Sequence, residues 1–438
     1  MNYNIILIML LIISINTGNA QELLTKNDAL DFALDHNYSI KIANNKAAIA
    51  KNNASILNNR FLPTVSANAG VNYSNTSTDN KSHTGVLSAI ENAESNNYNS
   101  SIGIKYTVFD GFGRAYNYKK LRETHQISEL DARAIIETTF ISVFTKYFEI
   151  ARLSQNENFI KQSLDISKQR LKRVSYSYDY GQTTKLEVLN AEVDVNNDSI
   201  SYLNIKRQLA NAKRDLNLLI GKDVLTNFKV ETGVLFLTDL EKNKLLADAQ
   251  ANNVSLLKAE SNIEIGKYDL KIANSAWLPL INFSSTYGLN TINNDINYQF
   301  LEQKSNNLAA GLSLAWNIFD GGATKIKNQN AKISIENLNI QREELVQELK
   351  RNMLNAWEVY QNNLFIVNAE QTNLATNERN FERSEELFKL GQLTSLQFRQ
   401  AQVNLLNAQT NLNKATYDAK IAELVLLQLS GNLLNTNF

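Results

Sequence analysis

The residues that most often carry out chemistry are scarce in this chain and stand far apart. Its three histidines, His36, His83 and His125, have no partners at the spacing of metal ligands, and there is no cysteine. A metal site, a thiolate nucleophile and a disulfide framework are therefore not expected, and packing or surface roles are favoured for the histidines. The sequence predicts no catalytic residue, no metal and no cofactor.

Two aspartates invite a catalytic interpretation, because Asp110 and Asp320 each stand in a Phe-Asp-Gly motif. In both places a strand pattern precedes the motif and a helical pattern follows it, where Asp caps a helix and Gly permits a turn. Gly321-Gly322 lacks the lysine of a phosphate-binding loop. Because the sequence offers no acid, base and nucleophile that could converge in a cleft, it does not predict an enzyme.

The positions of these motifs indicate that the chain contains one long unit twice. The matching landmarks are Pro63 and Pro279, Phe109-Asp110-Gly111 and Phe319-Asp320-Gly321, Gly181 and Gly391, and Gly221 and Gly431. Three of these pairs are 210 residues apart and the proline pair is 216 residues apart. Solenoid repeats are only about 20–50 residues long, so the chain is interpreted as a duplicated half-molecule.

Composition also limits the class of protein. The chain has 44 basic and 44 acidic residues and a pI near 6.9, whereas a nucleic-acid-binding domain carries a basic stripe. Residues 1–20 are predicted to be a secretory signal peptide, since the apolar run from Ile5 to Ile15 precedes the small residues of Gly18-Asn19-Ala20. This run is shorter than the about 20 apolar residues of a membrane anchor. Export is therefore expected, and a nucleic-acid partner is not.

Each repeat contains two segments in which apolar and polar residues alternate. The predicted strands are about 64–74, 99–109, 280–290 and 307–319. Alternation over about 10 residues is typical of a tilted strand with one lipid-facing and one wet face, although a half-buried soluble sheet alternates identically. Aromatic residues such as Trp277 and Phe319 cluster where strands meet helices, as at a membrane interface, and favour the membrane interpretation.

Four such strands cannot close a barrel, because the smallest membrane barrels have about 8 strands. Three chains would supply about twelve, so the membrane interpretation requires an oligomer. The predicted helix–strand junctions are Pro63, Asp110, Gly111, Pro279, Asp320 and Gly321.

Long stretches without proline or glycine predict long helices. The helices are expected at 115–180, 182–220, 323–390 and 392–430, with further helices at about 25–60 and 241–277. At about 1.5 Å per residue the two longest would reach roughly 100 Å. Apolar residues recur every seven residues, which indicates coiled-coil packing, and Glu137 and Asp198 are exceptions on their seams. The first repeat then spans 21–230 and the second 231–438.

Each long helix is expected to reverse direction at a glycine, Gly181 or Gly391, because glycine tolerates the left-handed conformation just past a helix end. A capping box follows each glycine, in which a hydroxyl accepts an N–H and the fourth side chain reaches back. The predicted boxes are Thr184-Lys185-Leu186-Glu187 and Thr394-Ser395-Leu396-Gln397. The chain therefore has two predicted helical hairpin tips.

These landmarks resemble those of the TolC-type outer-membrane efflux channels over nearly the whole mature chain. The shared features are a Phe/Trp-Leu-Pro entry to the first strand of each repeat, a Phe-Asp-Gly exit from the second, and Gly-Gln-x-Thr at each tip. The resemblance implies a homotrimer in which twelve strands form one barrel in the outer membrane and twelve helices continue it as a tunnel through the periplasm. It also implies a periplasmic adaptor protein at the tips, an inner-membrane transporter and contact with outer-membrane lipid.

Some members of that family close the tip aperture with salt bridges and carry acidic rings that favour cations. Here Glu187 matches an acidic position of the first repeat. The second repeat departs from the pattern, with apolar or amide residues at Phe388, Leu393, Gln397 and Gln400. One hypothesis is that Glu187 and Arg399 give the aperture its charge, and the alternative is that Glu187 only caps a helix. The candidate tip and aperture residues are Gly181, Thr184, Glu187, Gly391, Thr394, Gln397 and Arg399.

The sequence as a whole predicts a mainly α protein with a membrane β-barrel, built from two structural repeats that each have two strands and long coiled-coil helices. The function that the resemblance implies is an outer-membrane channel of a tripartite efflux or type I secretion system, which conducts substrates passively from an inner-membrane pump and a periplasmic adaptor to the exterior. The alternative is a structural or adhesive coiled-coil protein anchored by an outer-membrane barrel. Two helical hairpin tips at the same distance from the strands favour the channel, because a tunnel needs tips at one level and a stalk does not.

Overall fold

The computed structural model describes residues 22–295 and 300–436, so the predicted signal peptide, residues 1–20, lies outside the described residues. The strands are β1 (Glu22–Leu24), β2 (Thr64–Lys81), β3 (Leu87–Phe109), β4 (Phe228–Val230), β5 (Leu280–Asn294) and β6 (Glu302–Ala315). The helices are α1 (Lys26–His36), α2 (Tyr38–Asn53), α3 (Gly113–Asp179), α4 (Lys185–Ile220), α5 (Lys242–Asn252), α6 (Val254–Ser275), α7 (Ala323–Lys389) and α8 (Ser395–Leu429).

The chain divides into two compact units. The sheet unit consists of residues 46–128 and 258–342, and the helical unit consists of the described parts of residues 1–45, 129–257 and 343–438. Each long helix, α3 or α7, begins in the sheet unit and ends in the helical unit. Both units therefore contain segments of both repeats.

Four strands of the sheet unit form one antiparallel sheet in the order β2-β3-β5-β6. The hairpin of one repeat thus pairs with the hairpin of the other through β3 and β5. The alternation of side chains is kept across the sheet, because Ile102 stands opposite Ala67 in β2 and opposite Tyr287 in β5. One face of the sheet is consequently apolar and the other polar.

All four strands extend further towards their hairpin turns than predicted. At its other end, β6 stops before the predicted residue. The strands continue past their alternating segments because backbone hydrogen bonds between hairpin strands do not require apolar side chains. The prediction that the last strand reaches residue 319 is wrong, since β6 ends at Ala315. Ala315 pairs with Leu280, the first residue of β5, and Pro279 before it has no N–H to extend the ladder.

The long helices α3 and α7 have 67 residues each, which corresponds to about 100 Å at the usual rise per residue. Neither contains proline or an internal glycine, the residues that most often break helices. None of the described helices combines the length and the hydropathy of a membrane-spanning helix.

The core of the helical unit is built from the apolar seams of the helices. Phe144, Tyr147 and Phe148 of α3 are at most 1% exposed, and the rings of Phe144 and Phe148 stack with their centroids 5.9 Å apart. They belong to one cluster with Leu216 and Ile220 of α4, which are fully buried. Burial of these large side chains is the main favourable contribution to the packing of α3 on α4.

A two-stranded parallel sheet of β1 and β4 also lies in the helical unit. The Tyr147 hydroxyl joins it to α3, because it donates a hydrogen bond to the Leu24 carbonyl at 2.8 Å and accepts one from the Glu231 N–H at 2.9 Å. Strands of three residues carry too little alternation to be predicted from the sequence.

The helices predicted at about 25–60 and 241–277 are each interrupted at an asparagine, so the prediction of single helices there is wrong. Asn37 separates α1 from α2, and its Oδ1 accepts the N–H of Ser39 at 2.8 Å. Its amide donates to the Leu219 carbonyl near the end of α4 at 2.7 Å. Asparagine favours such a break because its side chain competes for main-chain groups.

The second repeat has the same break. Asn253 separates α5 from α6, accepts from the Ser255 N–H at 3.0 Å and donates to the Leu429 carbonyl of α8 at 3.1 Å. We call these two breaks the asparagine joints. In each repeat the joint attaches the incoming helix to the end of the helix that closes the hairpin.

Candidate functional site

Both long helices end in the same left-handed turn. Gly181 and Gly391 have φ values of 71° and 74°, a region that favours glycine. The N–H of Gln182 donates to the Ser177 carbonyl at 2.7 Å, and that of Gln392 donates to Leu387 at 2.9 Å. These six-to-one hydrogen bonds define a Schellman motif, which ends α3 and α7 and turns the chain towards α4 and α8.

Only one of the two predicted capping boxes is present. Thr394 accepts the Gln397 N–H at 3.3 Å, and the Gln397 side chain accepts the Thr394 N–H at 3.1 Å. The box predicted at Thr184 is wrong, since the Thr184 side chain makes no capping hydrogen bond. There the Glu187 N–H donates to the Thr184 carbonyl at 3.1 Å, so the backbone satisfies the group that the hydroxyl was expected to bind.

Glu187 is therefore not a capping residue. Its side chain is half-buried on the first turn of α4, and among residues 22–295 and 300–436 it has no ion-pair partner. The carboxylate remains available to solvent and to solutes at this turn.

Arg399 of α8 lies in a buried ion pair with α4. Its Nη1 and Nη2 donate to the two carboxylate oxygens of Asp198, both at 2.7 Å, and its Nη1 also donates to the Ser167 hydroxyl of α3 at 3.0 Å. The side chains of Arg399 and Asp198 are 15% and 11% exposed. Burial alone would lower the pKa of Arg399, but the hydrogen bonds and charge of Asp198 outweigh it and raise the pKa.

Two further buried polar side chains extend this network. Arg170 of α3 forms an ion pair with Asp194 of α4 and donates to the Ser395 carbonyl at the start of α8. Gln402 of α8 donates to the Ser163 carbonyl of α3 at 2.7 Å. These contacts connect α3 and α4 of the first repeat with α8 of the second.

The end of α7 is attached to α3 in a similar way. Arg173 donates to the carbonyl of Lys389, the last residue of α7, at 2.6 Å, and its guanidinium lies 5.4 Å from the ring centroid of Phe388. A cation is favoured at a helix C-terminus because the last carbonyls carry partial negative charge. Phe388 in turn stacks on Phe398 with ring centroids 4.7 Å apart.

We call this set of contacts the tip clamp. Its members are Ser163, Ser167, Arg170, Arg173, Asp194, Asp198, Phe388, Lys389, Ser395, Arg399 and Gln402. Of these residues, Arg399 was predicted as a tip residue, whereas its contacts with Asp198 and Ser167 were not predicted. Asp198 was the available signal, since a charge on an apolar seam requires a buried partner.

Glu137, the other exception on a seam, is buried and has a partly exposed arginine as its partner. The Glu137 carboxylate accepts from Arg133 Nε at 2.9 Å, and Arg133 also donates to the Gly431 carbonyl at 3.0 Å. Burial raises the pKa of Glu137, and the hydrogen bond from Arg133 opposes that shift. This pair therefore links α3 to the end of α8, beside the second asparagine joint.

The predicted junction residues lie where strands and helices meet. The Asp110 carboxylate accepts the Arg114 N–H at 2.8 Å, and that of Asp320 accepts the N–H of Gly322 at 3.0 Å and that of Thr324 at 2.8 Å. Hydrogen bonds from the Thr324 hydroxyl and N–H hold the pKa of Asp320 below its usual range. Both aspartates thus act as turn and capping residues.

The glycines of these junctions occupy backbone conformations that other residues rarely adopt, and the prolines mark the starts of strands. Gly111 and Gly321 have φ values of 67° and 68°, and a Cβ on Gly111 would lie 2.5 Å from the Ser275 carbonyl oxygen. Pro63 and Pro279 stand directly before β2 and β5.

Comparison with known proteins identifies the class to which this architecture belongs. The model of the family described as "Outer membrane efflux protein" matches residues 29–222 and 245–432, one segment in each repeat. The chain therefore belongs to the outer membrane efflux protein family.

Individual relatives agree with this assignment. The chain is 21% identical to the outer membrane protein TolC of Vibrio cholerae serotype O1 over 299 residues, which are 67% of each chain. It is 21% identical to the outer membrane efflux protein BepC of Brucella suis over 423 residues, 95% of this chain and 87% of the relative. The CmeC outer membrane channel of Campylobacter jejuni shares the fold with a TM-score of 0.78 and 18% identity, over 93% of this chain and 86% of that one.

These findings confirm the resemblance that the sequence motifs indicated. They also confirm the TolC-like fold class, the outer-membrane location and the role as an efflux channel.

Proposed function

We propose that three copies of this chain form one outer-membrane channel, in which their sheets close into a barrel of about twelve strands. The supporting observation is the four-stranded sheet with one apolar and one polar face. Among the described strands, β2 and β6 each pair on one side only, with β3 and β5. Unpaired strand edges are not tolerated in lipid, and pairing β6 of one copy with β2 of the next removes all of them.

The partners proposed for this trimer are a periplasmic adaptor protein and an inner-membrane transporter. The helical hairpins carry large exposed apolar residues at matched positions. Tyr180 and Leu390 are 81% and 71% exposed, and Leu186 and Leu396 are 65% and 78% exposed. Because exposed apolar patches on soluble surfaces mark sites of protein association, the repeated pattern supports the same kind of contact at both tips.

In this proposal the chain conducts substrates passively and catalyses no reaction. The family to which it belongs consists of efflux channels, and the buried charges of the tip clamp bind one another. The transporter in the inner membrane supplies the energy.

The tip clamp is proposed to hold the two hairpins of one protomer together, so the clamp must break when the hairpins separate. Because Asp198 and Asp194 offset the charge of Arg399, we assign Arg399 to this clamp, and Glu187 to the charge of the aperture. Gly181, Gly391, Thr394 and Gln397 set the turns that present these residues, and Thr184 contributes through its backbone carbonyl.

The assignment of Glu187 is tested by the ion selectivity of the purified channel in planar bilayers. Glu187→Gln is expected to lower the preference for potassium over chloride, because one carboxylate per protomer is removed from the entrance. Glu192→Gln, another acidic residue of α4, serves as the control and is expected to have a smaller effect. Unchanged selectivity in Glu187→Gln would contradict the assignment.

The proposed function is tested in a strain that lacks this gene. Deletion is expected to raise sensitivity to exported toxic compounds, and the wild-type gene is expected to restore resistance. A variant with Leu186→Asp and Leu396→Asp is expected not to restore it, whereas Leu225→Asp, at a leucine that is 81% exposed outside the tips, should. No change on deletion in sensitivity, secretion or metal tolerance would favour a structural or adhesive role instead.

A further inference from the structure

The polar face of the four-stranded sheet is lined by short, uncharged side chains. Residues directly opposite one another in antiparallel strands project from the same face, so the pairing of the strands defines each row of this face. Side-chain contacts support the pairing. The Thr107 hydroxyl donates to Asn282 Oδ1 at 2.9 Å, and Asn99 lies against Gly70, where an added Cβ would be 2.9 Å from Asn99 Oδ1.

Lys105 interrupts this pattern. It belongs to the row of Thr64, Lys105, Ser284 and Gly311. Within the described residues of the four-stranded part, it is the single charged residue on the polar face. In the rows where all four strands pair, the other charged residues are Glu302 and Lys304, and both belong to the opposite face. Asp79, Lys81, Glu91 and Glu94 lie beyond these rows, in the part of the β2–β3 hairpin nearer its turn.

The charge of Lys105 is not neutralised within the chain. Its neighbours across the sheet are Thr64 and Ser284, and its neighbours along the same face of β3 are Gly103 and Thr107. Lys105 is exposed, and it forms no ion pair with any residue that the structure describes. Small and uncharged neighbours leave the ammonium group free to act on solutes at this face.

We propose that Lys105 gives the membrane-embedded part of the channel a preference for anionic solutes. This inference rests on the proposed trimer, in which the polar face lines the lumen and three copies of Lys105 lie at one level. The attraction is screened by salt, because the Debye length falls from about 30 Å at 0.01 M to about 3 Å at 1 M. The preference is therefore strong in dilute salt and lost in concentrated salt.

The test uses the full-length protein in planar bilayers and measures the reversal potential of open channels under a potassium chloride gradient. In dilute salt, Lys105→Gln is expected to lower the ratio of chloride to potassium permeability by about twofold or more, and in about 1 M salt it is expected to have no effect. Lys304→Gln is the matched control, since Lys304 lies on the opposite face in an ion pair with Glu302 at 2.7 Å. Its permeability ratio should equal that of the wild type.

A variant in which the lysine is moved to a neighbouring strand distinguishes an electrostatic role of Lys105 from a structural one. The variant with Lys105→Gln and Ser284→Lys places the lysine one strand away in the same row, and is expected to restore the wild-type permeability ratio.

Two results would overturn the inference. Conducting Lys105→Gln channels with an unchanged ratio would do so directly, even if their assembly were reduced, because Lys105 would then serve assembly alone. Purified protein that forms no conducting trimer would contradict the proposed function and this inference with it.

Discussion

The ion pair of Arg399 and Asp198 illustrates how a buried charge is accommodated at the tip of a helical hairpin. Both side chains are largely withdrawn from water, which carries a desolvation cost, and two parallel hydrogen bonds offset that cost. Such pairs contribute little net stability compared with apolar residues of similar volume, yet removal of one partner is strongly destabilising. We infer that the pair mainly determines how α8 is aligned with α3 and α4.

Replacing Arg399 by Met is expected to lower the free energy of unfolding by roughly 3 kcal/mol, because the Asp198 carboxylate then remains buried without its partner. Adding Asp198→Leu is expected to recover most of this loss, since neighbouring positions of the seam are apolar. Urea unfolding followed by circular dichroism measures both effects. A double variant no more stable than Arg399→Met would contradict the explanation.

The control for this experiment is an ion pair on the surface of the same helix. Lys414 and Asp418 of α8 form a pair whose side chains are 68% and 48% exposed. Lys414→Met is expected to cost at most about 0.5 kcal/mol, because solvent screens exposed pairs.

Two glycines with the same backbone conformation are expected to respond differently to alanine. Gly181 and Gly221 have φ values of 71° and 72°, so a left-handed alanine costs about 1–2 kcal/mol at either position. At Gly221 the new Cβ would also lie 2.8 Å from the His36 carbonyl oxygen, whereas nothing lies within 4 Å at Gly181. Gly221→Ala should therefore lower the urea midpoint more than Gly181→Ala, and equal effects would rule out a role for the crowding at the joint.

At the scale of elements, the helices and strands in which one periodic pattern continues over many residues were predictable from the sequence. The strands near the junctions and the helices α3, α4, α7 and α8 have many residues of one pattern, so a single exception does not hide them. The asparagine joints were not predicted. An asparagine is unremarkable within a helical pattern, and the break depends on a carbonyl contributed by a distant helix, such as that of Leu219.

The contacts of the tip clamp were not predictable for the same reason, because they join helices that are distant in sequence. The apolar seams identified Asp198 and Glu137 as exceptions, but their partners differ in sequence separation. Arg133 is four residues from Glu137, whereas Arg399 is 201 residues from Asp198. A local pattern carries no information on the second kind of contact, because that contact depends on how two hairpins pack.

The short β1–β4 sheet provides a prediction at this scale, because Tyr147 holds it on α3. Burial is the main cause that raises the pKa of Tyr147 to about 12, whereas an unfolded tyrosine has a pKa near 10. A raised pKa contributes stability that is fully present below about pH 10 and is lost as the pH rises towards about 12.

Tyr147→Phe removes this contribution and leaves the Leu24 carbonyl and the Glu231 N–H without their partner. At neutral pH we expect a loss of about 1–3 kcal/mol. The difference in melting temperature between wild type and variant is expected to narrow from pH 10 to 12. If the difference in melting temperature between wild type and variant stays constant over this pH range, the Tyr147 hydroxyl does not titrate in the way proposed.

At the scale of the whole molecule, the two repeats share a plan but differ where the chain must connect them. Lys420 and Glu423 of α8 form a buried ion pair that holds the connecting segment, because Lys420 donates to the Leu235 carbonyl and Glu423 accepts the Leu237 N–H. The matching positions of the first repeat are Ala210 and Lys213, which cannot form this pair. This buried ion pair to the connecting segment is therefore found in the second repeat and has no counterpart at the matching positions of the first.

In the proposed trimer, the duplication leaves each chain with one third of the channel wall. Two hairpins supply four strands, and their alternating faces require closure with further copies before the polar face can enclose water. The trimer is thus the central claim from which the lumen, the aperture and the role of Lys105 follow.

Electron microscopy of the full-length protein, extracted from outer membranes in mild detergent, tests this claim most directly. The proposed trimer predicts particles with three-fold symmetry, the mass of three protomers and a continuous hollow axis. Particles with the mass of a single protomer, or solid particles without a three-fold axis, would contradict it.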